Sequence, residues 1–203
     1  MKTIFIPAKS KQKLDLPIII KQLEKLPKNI AICYSIQFEH QAKELASILK
    51  NKHITAIKQI LGCSRPSFPK NTQAIILIGQ GRFHSVSLQY ETGIKVYLIE
   101  NSKINEVSEK DVENMKKKQK ASHVNYLSQN KIGILITNKP GQQRLQKALE
   151  LKKKLKTKKT YLFLCNNIDT SEFENFTLKS WINTACPRLD LDDYRIINAK
   201  ELQ

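Results

Sequence analysis

Glycine is scarce in this chain, with six among 203 residues, and no tract rich in Ser, Pro and Gly interrupts it. A disordered or low-complexity character is thereby excluded, and one or two globular domains are expected from the length. Long apolar runs are also missing: none approaches the roughly 18 to 20 residues that a membrane span needs. The opening MKTIFIPAK is too short to be a secretory signal peptide. A soluble, cytoplasmic protein with no membrane partner is expected. Acidic residues are outnumbered, 18 against 35 Lys and Arg, which leaves a formal net charge of +17. Such a charge favours any anionic partner at long range. Aromatics make up only 7% of the chain and are not interleaved with the lysines in any RNA-binding signature. The lysines, as in the segment 147–159, therefore read as a solvated face, and nucleic acid is not required. Cysteines number four, at 33, 63, 165 and 186. No C-x-x-C or other zinc spacing exists among them, and in an intracellular chain they are core thiols or ligands gathered by the fold.

What the chain does have is a regular alternation. Short apolar runs rich in β-branched residues fall at 3–7, 29–34, 56–59, 74–78, 96–99, 132–137, 160–164 and 180–184. Amphipathic helical stretches separate most of them, the pattern of βαβ units. The expected class is α/β, in two small lobes, 1–105 and 106–203, each a mainly parallel sheet flanked by helices. Over 39–50, Ala42, Leu45, Ala46 and Leu49 share one helix face, and over 142–155 the stripe is Leu145, Ala148, Leu149 and Leu155. The polar segment 102–130 is expected to form a joining helix. Residues 30–49 and 131–151 echo one another as strand, polar loop with a glutamine, then helix, which makes an internal duplication plausible.

In doubly wound sheets ligands sit beyond the carboxyl ends of the strands, and four loops there carry candidate chemistry. The first is Ser35-Ile36-Gln37-Phe38, where Ser35 suits a helix cap and Gln37 could bond a ligand. In Leu61-Gly62-Cys63-Ser64-Arg65 a loop thiol lies near an arginine that would favour its thiolate, although a lone loop cysteine is more often inert. Gly79-Gln80-Gly81-Arg82-Phe83-His84 opens a helix whose N-terminus favours an anionic group. A nicotinamide fingerprint is poorly supported there, since His84 stands where a third glycine is needed, and His84 reads equally as a packed core residue. The last is Thr184-Ala185-Cys186-Pro187-Arg188-Leu189, followed by Asp190, Asp192 and Asp193, where Pro187 would hold the cysteine rigidly. Cys33 and Cys165 lie inside apolar runs and read as buried small hydrophobes.

Taken together, the loops resemble the diphthamide synthase family, the archaeal and eukaryotic 2-(3-amino-3-carboxypropyl)histidine synthases. That family's second domain carries a Ser/Thr-Ile-Gln-Phe loop, an Ile-Leu-Gly-Cys loop and a Gly-x-Gly-Arg-Phe-His turn, matched at 35–38, 60–63 and 79–84. Its third domain carries Lys-Pro-Gly-Gln and Thr/Val-Ala-Cys-Pro-Arg-Leu followed by Asp, matched at 139–142 and 184–189 with Asp192. The resemblance implies that Cys63 and Cys186 are two of three cysteines ligating a [4Fe–4S] cluster. It also implies that Gln37, Gly79, Gly81, Arg82, His84, Gln142 and Arg144 wall a site for S-adenosylmethionine, with Arg82 and Arg144 the best carboxylate partners.

The reaction so implied is reductive cleavage of S-adenosylmethionine to a 3-amino-3-carboxypropyl radical that adds to a histidine of elongation factor 2, leaving methylthioadenosine. An electron donor is then a partner. The family's first domain, with its Gly-Ala-Cys ligand, has no match here, so that domain is expected in trans, from a separately encoded chain or another synthase subunit. The alternatives are a non-catalytic scaffold or electron-transfer subunit, and a basic RNA- or ribosome-binding module on the same fold.

Overall fold

The computed structural model describes residues 4, 6, 8–61, 65–191 and 193–202, without the side chains of 190 and 191. The chain divides into two compact units, Met1–Glu113 and Asn114–Gln203. The strand predicted at 3–7 falls largely outside the described residues; Ile4 and Ile6, which are described, belong to no element and are exposed.

The first unit opens with α1 (Leu16–Leu23), whose N-cap Asp15 accepts a hydrogen bond from the Ile18 amide and which carries a proline in its first turn. Such a proline loses nothing, because its missing N–H would have had no helical partner. Then come β1 (Asn29–Tyr34), a 3₁₀ turn, α2 (Glu39–Ile48), β2 (His53–Gln59), β3 (Ala74–Ile78), α3 (Arg82–Thr92), β4 (Lys95–Glu100) and β5 (Lys103–Glu106). The sheet order is β2-β1-β3-β4-β5, parallel except for β5. Side chains alternate across β1. Ile30 and Ile32 meet Ile19, Phe38, Ala42 and Leu45 on one face, and Ala31 and Cys33 meet Leu88, Val96 and Leu98 on the other. Burial on both faces explains why these strands are continuous apolar runs rather than alternating ones.

The helix α4 (Glu109–Ser128) contains the division between the units. Strand β5 pairs antiparallel with β4 through a turn in which Asn101 and Ser102 take positive φ, 50° and 60°. This is the geometry of a tight hairpin that favours Asn in its first place. A boundary near residue 105 would cut β5, a strand the apolar-run reading did not contain.

The second unit continues with β6 (Lys131–Thr137), α5 (Leu145–Lys154), β7 (Lys159–Cys165), β8 (Trp181–Asn183) and β9 (Ile196–Asn198), with 3₁₀ turns before and after β8. Its four strands are all parallel, in the order β7-β6-β8-β9. Helix α5 starts at Leu145, later than expected. Its buried residues are Ala148 and Leu151, while Leu145 and Leu149 are exposed, so the predicted stripe was rotated. The opposite face is aromatic: Trp181 is fully buried, stacked on Phe173 at 4.2 Å and edge-on to Phe163 at 4.8 Å.

The two units repeat one another beyond strand order. The residue before β2, Lys52, places its ammonium on the Glu24 and Leu26 carbonyls at the end of α1. The residue before β7, Lys158, does the same on the Tyr126, Leu127 and Gln129 carbonyls at the end of α4, at 3.1, 3.2 and 2.7 Å. The next amide donates to the carbonyl just before the central strand in both cases, His53 to Lys28 and Lys159 to Asn130. A lysine here satisfies helix carbonyls that lack helical partners and meets the negative end of the dipole. Lys158 also lies over the Tyr126 ring at 4.9 Å. Lys158→Met, which keeps the aliphatic stem, is expected to lower stability by about 1 to 2 kcal/mol in urea titrations followed by tryptophan fluorescence.

Candidate functional site

With strand order 2-1-3-4, the connections leave the first and third strands of each sheet in opposite directions, and a crevice opens at their carboxyl ends. In the first unit this point lies between β1 and β3. The Ser35 amide donates to the Ile78 carbonyl at 3.3 Å, and a small hollow there is lined by Ser35, Ile60, Leu77, Gly79, Gln80, Gly81 and His84. Its volume, about 200 Å³ including space open to solvent, is below the roughly 300 to 1,000 Å³ of typical small-molecule pockets. It would hold only part of a nucleoside-sized ligand.

Of the predicted wall residues, Gly79, Gly81 and His84 come together here, and Ser35 and Ile60 join them. Gln37 is half-buried one turn away, its carbonyl accepting from the Ser10 amide at 2.8 Å. Arg82 begins α3 with an exposed side chain that enters no ion pair among the described residues. Ser35 makes no side-chain cap to the following turn, contrary to the capping expectation. Gly81 has φ +81°, a conformation that L side chains rarely adopt.

Two electrostatic expectations change. The Gly81 amide, one of the free donors at the start of α3, already donates to the Glu100 carboxylate at 3.1 Å. That anion position is met by the chain itself, so a ligand approaching Gly81 encounters a carboxylate. Arg65 bonds Glu91 at 2.9 Å, so its charge is committed to α3 instead of being free to draw out a thiolate. Cys63 itself lies outside the described residues.

In the second unit the corresponding point lies between β6 and β8. After β8 the chain turns through Thr184, Ala185 and Cys186 into a 3₁₀ turn at Pro187–Leu191. The Thr184 hydroxyl donates to the Leu135 carbonyl at 2.7 Å. Two buried asparagines hold the turn. The Asn183 amide nitrogen donates to the Cys186 carbonyl at 2.7 Å and to Asn198 Oδ1 at 2.8 Å, and its Oδ1 accepts from the Ala185 amide at 2.8 Å. Asn198 in turn donates to the Pro187 carbonyl at 3.1 Å. Arg195, bonded to Asp193 and Glu174, ties down the return into β9. The backbone around Cys186 is thus fixed by side chains, and the residue is partly exposed.

After β6, residues 138–141 are exposed and Gly141 has φ +77°. Gln142 is half-buried, and Arg144, the N-cap of α5, is exposed and in no ion pair among the described residues. Asp192 lies outside the described residues. Among those that are described, no group of three or more His, Cys, Asp or Glu side chains is placed to hold a metal ion.

The asparagines were not singled out in the sequence, although Trp181-Ile182-Asn183 and Ile196-Ile197-Asn198 both end an apolar strand on a buried amide. Cys165 departs from its expected burial. It ends β7 half-exposed, its thiol raised by partial burial and lowered by Lys139. Cys33 is fully buried as expected, and burial pushes its thiol up to about 12. Iodoacetamide at pH 8 is therefore expected to modify Cys186 and leave Cys33 untouched until the protein unfolds, as read by peptide mass spectrometry. Above pH 9 only the unfolded Cys33 thiol ionises, so this residue lowers stability as pH rises from 9 toward 12.

Comparison with known proteins places this arrangement. The family model described as "Putative diphthamide synthesis protein" matches residues 1–200. The chain belongs to that family. Within it, the 2-(3-amino-3-carboxypropyl)histidine synthase of Pyrococcus horikoshii is 29% identical over 95% of this chain and 60% of its own length. The synthase of Methanocaldococcus jannaschii is 28% identical over 96% and 57%. The crystal structure of Dph2 from Pyrococcus horikoshii with a 4Fe-4S cluster superposes with a TM-score of 0.78 at 26% identity, covering 94% of this chain and 61% of that one. This chain thus spans about 60% of the length of these family members. No helix among the described residues is long and apolar enough to cross a membrane.

Proposed function

We propose that the chain is part of the iron–sulfur enzyme that transfers a 3-amino-3-carboxypropyl group from S-adenosylmethionine to a histidine of elongation factor 2, the first step of diphthamide formation. The observation that carries this reading is the family match over residues 1–200, which takes in both loop cysteines and both strand-end crevices. Cys186 fits the role of a ligand: the residue is partly exposed and its loop is held by buried amides, so little local ordering is needed to present the sulfur. Cys63 is assigned the same role. The remaining thiolate would come from outside these 203 residues, and a separate chain or another synthase subunit that carries it is the partner we propose. When bound, the cluster supplies an open iron position for S-adenosylmethionine and the electron that cleaves its sulfonium.

The chain's own residues orient and enclose. In the first unit Gly79 and Gly81 let backbone approach a ligand, His84 and Gln37 line the approach, and Arg82 is assigned to a carboxylate. In the second unit Gln142 is assigned a hydrogen-bonding role and Arg144 that of a carboxylate partner. Glu100 at the Gly81 amide makes that corner repel a carboxylate, so the amino acid end is assigned to the arginines. An electron donor completes the system.

The test is transfer of label from carboxyl-¹⁴C S-adenosylmethionine to elongation factor 2 under anaerobic reduction, using the chain with a candidate first-domain chain. A full-length relative serves as positive control. Label on a histidine peptide in the mixture supports the reading, and label with the control alone contradicts it.

A further inference from the structure

At the opposite end of the second unit's sheet from Cys186, positive charge gathers with no carboxylate partner among the described residues. From residue 131 to 168 there are ten Lys and Arg and one acid, Glu150, and all but Lys139 and Arg144, which follow the carboxyl end of β6, lie on α5, on the turn after it or at the strand starts. Two simple causes account for some of them. Lys152, Lys153 and Lys154 occupy the last turn of α5, where the helix dipole favours cations, and a lysine on an edge strand such as β7 discourages strand pairing. Neither accounts for Lys131. It begins the inner strand β6 directly in register with Lys159 of β7, on backbones about 4.8 Å apart, and both are exposed. Like charges placed directly opposite are destabilising. Among the described residues, none of Lys131, Lys154, Lys156 and Lys159 pairs with a carboxylate.

Strand alternation puts Tyr161 on the same face as Lys159. Tyr161 is 37% exposed, with the Lys159 ammonium 5.8 Å from its ring centre. We infer that this rim, Lys131, Lys159 and Tyr161, is a binding surface for single-stranded RNA. The lysines would take backbone phosphates, which relieves the repulsion between Lys131 and Lys159, and the tyrosine would stack on a base. An acidic protein surface or an anionic bilayer would be attracted by the lysines alone; the exposed flat ring beside them adds a stacking surface that a base uses and those partners do not. The inference is independent of the transferase reading, and Cys186→Ala is expected to leave RNA binding unchanged.

The experiment is fluorescence anisotropy of a 5′-labelled 20-nucleotide oligouridylate with the native chain, between 50 and 200 mM KCl. Binding that weakens steeply with salt is expected. In the double variant K131Q/K159Q, affinity at 50 mM should fall about 10-fold, and the slope of log K against log salt should shrink by about 1.4, since each single-strand phosphate contact contributes about 0.7. Y161A should weaken binding without changing the slope. The thermal midpoint of K131Q/K159Q should stay equal to or above the native one, which excludes misfolding as the cause. Native-like binding by the double variant, or no binding at 50 mM, overturns the inference. Equal displacement of the RNA by polyglutamate or by phosphatidylserine vesicles overturns it in favour of a protein or a membrane partner.

Discussion

Gly133→Ala is expected to destabilise the second unit by about 3 kcal/mol or more, and to leave the first unit folded. Gly133 sits in the central strand β6, opposite Trp181 in the neighbouring strand. A Cβ built there falls inside the indole, against its Cε3 and Cζ3 carbons. The ring cannot yield, because Phe173 stacks on it, Phe163 and Phe176 meet it edge-on, and it is fully buried. Trp181 is the chain's one tryptophan, so its emission in a urea titration reports on the second unit alone. Gly93→Ala is the contrast: its φ is +68° but nothing lies within 4 Å of the new carbon, so only the conformational cost of about 1 kcal/mol applies, and in the first unit. A loss below 1 kcal/mol for Gly133→Ala would show that the strand pair can part to admit a methyl group, contrary to the packing described.

Asn183→Ala is expected to cost about 2 to 3 kcal/mol and to loosen the Cys186 turn. The substitution leaves the Cys186 carbonyl, the Ala185 amide and the buried Asn198 amide oxygen without the partner that held them at 2.7 to 2.8 Å. A purely structural role would change stability alone. A positioning role predicts in addition that Cys186 alkylation accelerates in the native state and that reconstituted iron is retained at least 10-fold more weakly. Thr184→Val removes only the bond to the Leu135 carbonyl; it is expected to cost about 1 kcal/mol and leave alkylation and iron retention unchanged.

The strands most legible in the sequence are those buried on both faces, although the edge strands at 56–59 and 160–164, only partly buried, are also visible there. Residues 29–34, 74–78 and 132–137 stand out as unbroken apolar runs because both faces of the central strands are covered, by helices in the first unit and by α5 on one side and an aromatic cluster on the other in the second. What was hidden was short or polar. Lys103–Glu106 has one apolar residue, Ile196–Asn198 has three residues in all, and α1 begins at a Pro-containing stretch whose Ile-Ile-Ile run suits a strand as well as a helix.

The candidate loops were legible for a physical reason: parallel sheets place ligands after strands, so any loop following an apolar run is a candidate. The partners within them were not legible. Glu100 reaches Gly81 only because β4 lies beside β3, and Asn183 finds Asn198 only because β8 pairs with β9. The commitment of Arg65 to Glu91 and the half-exposure of Cys165 likewise depend on neighbours far away in sequence.

The central claim is that Cys63 and Cys186, and neither Cys33 nor Cys165, are ligands. It is tested most directly by anaerobic reconstitution with iron and sulfide, with a chain supplying the remaining ligand, followed by iron analysis and paramagnetic resonance of the four single alanine variants. The account predicts a reduced four-iron signal in the native protein and in Cys33→Ala and Cys165→Ala, and its loss in Cys63→Ala and Cys186→Ala. Equal loss in all four, or full iron content in Cys186→Ala, would contradict it.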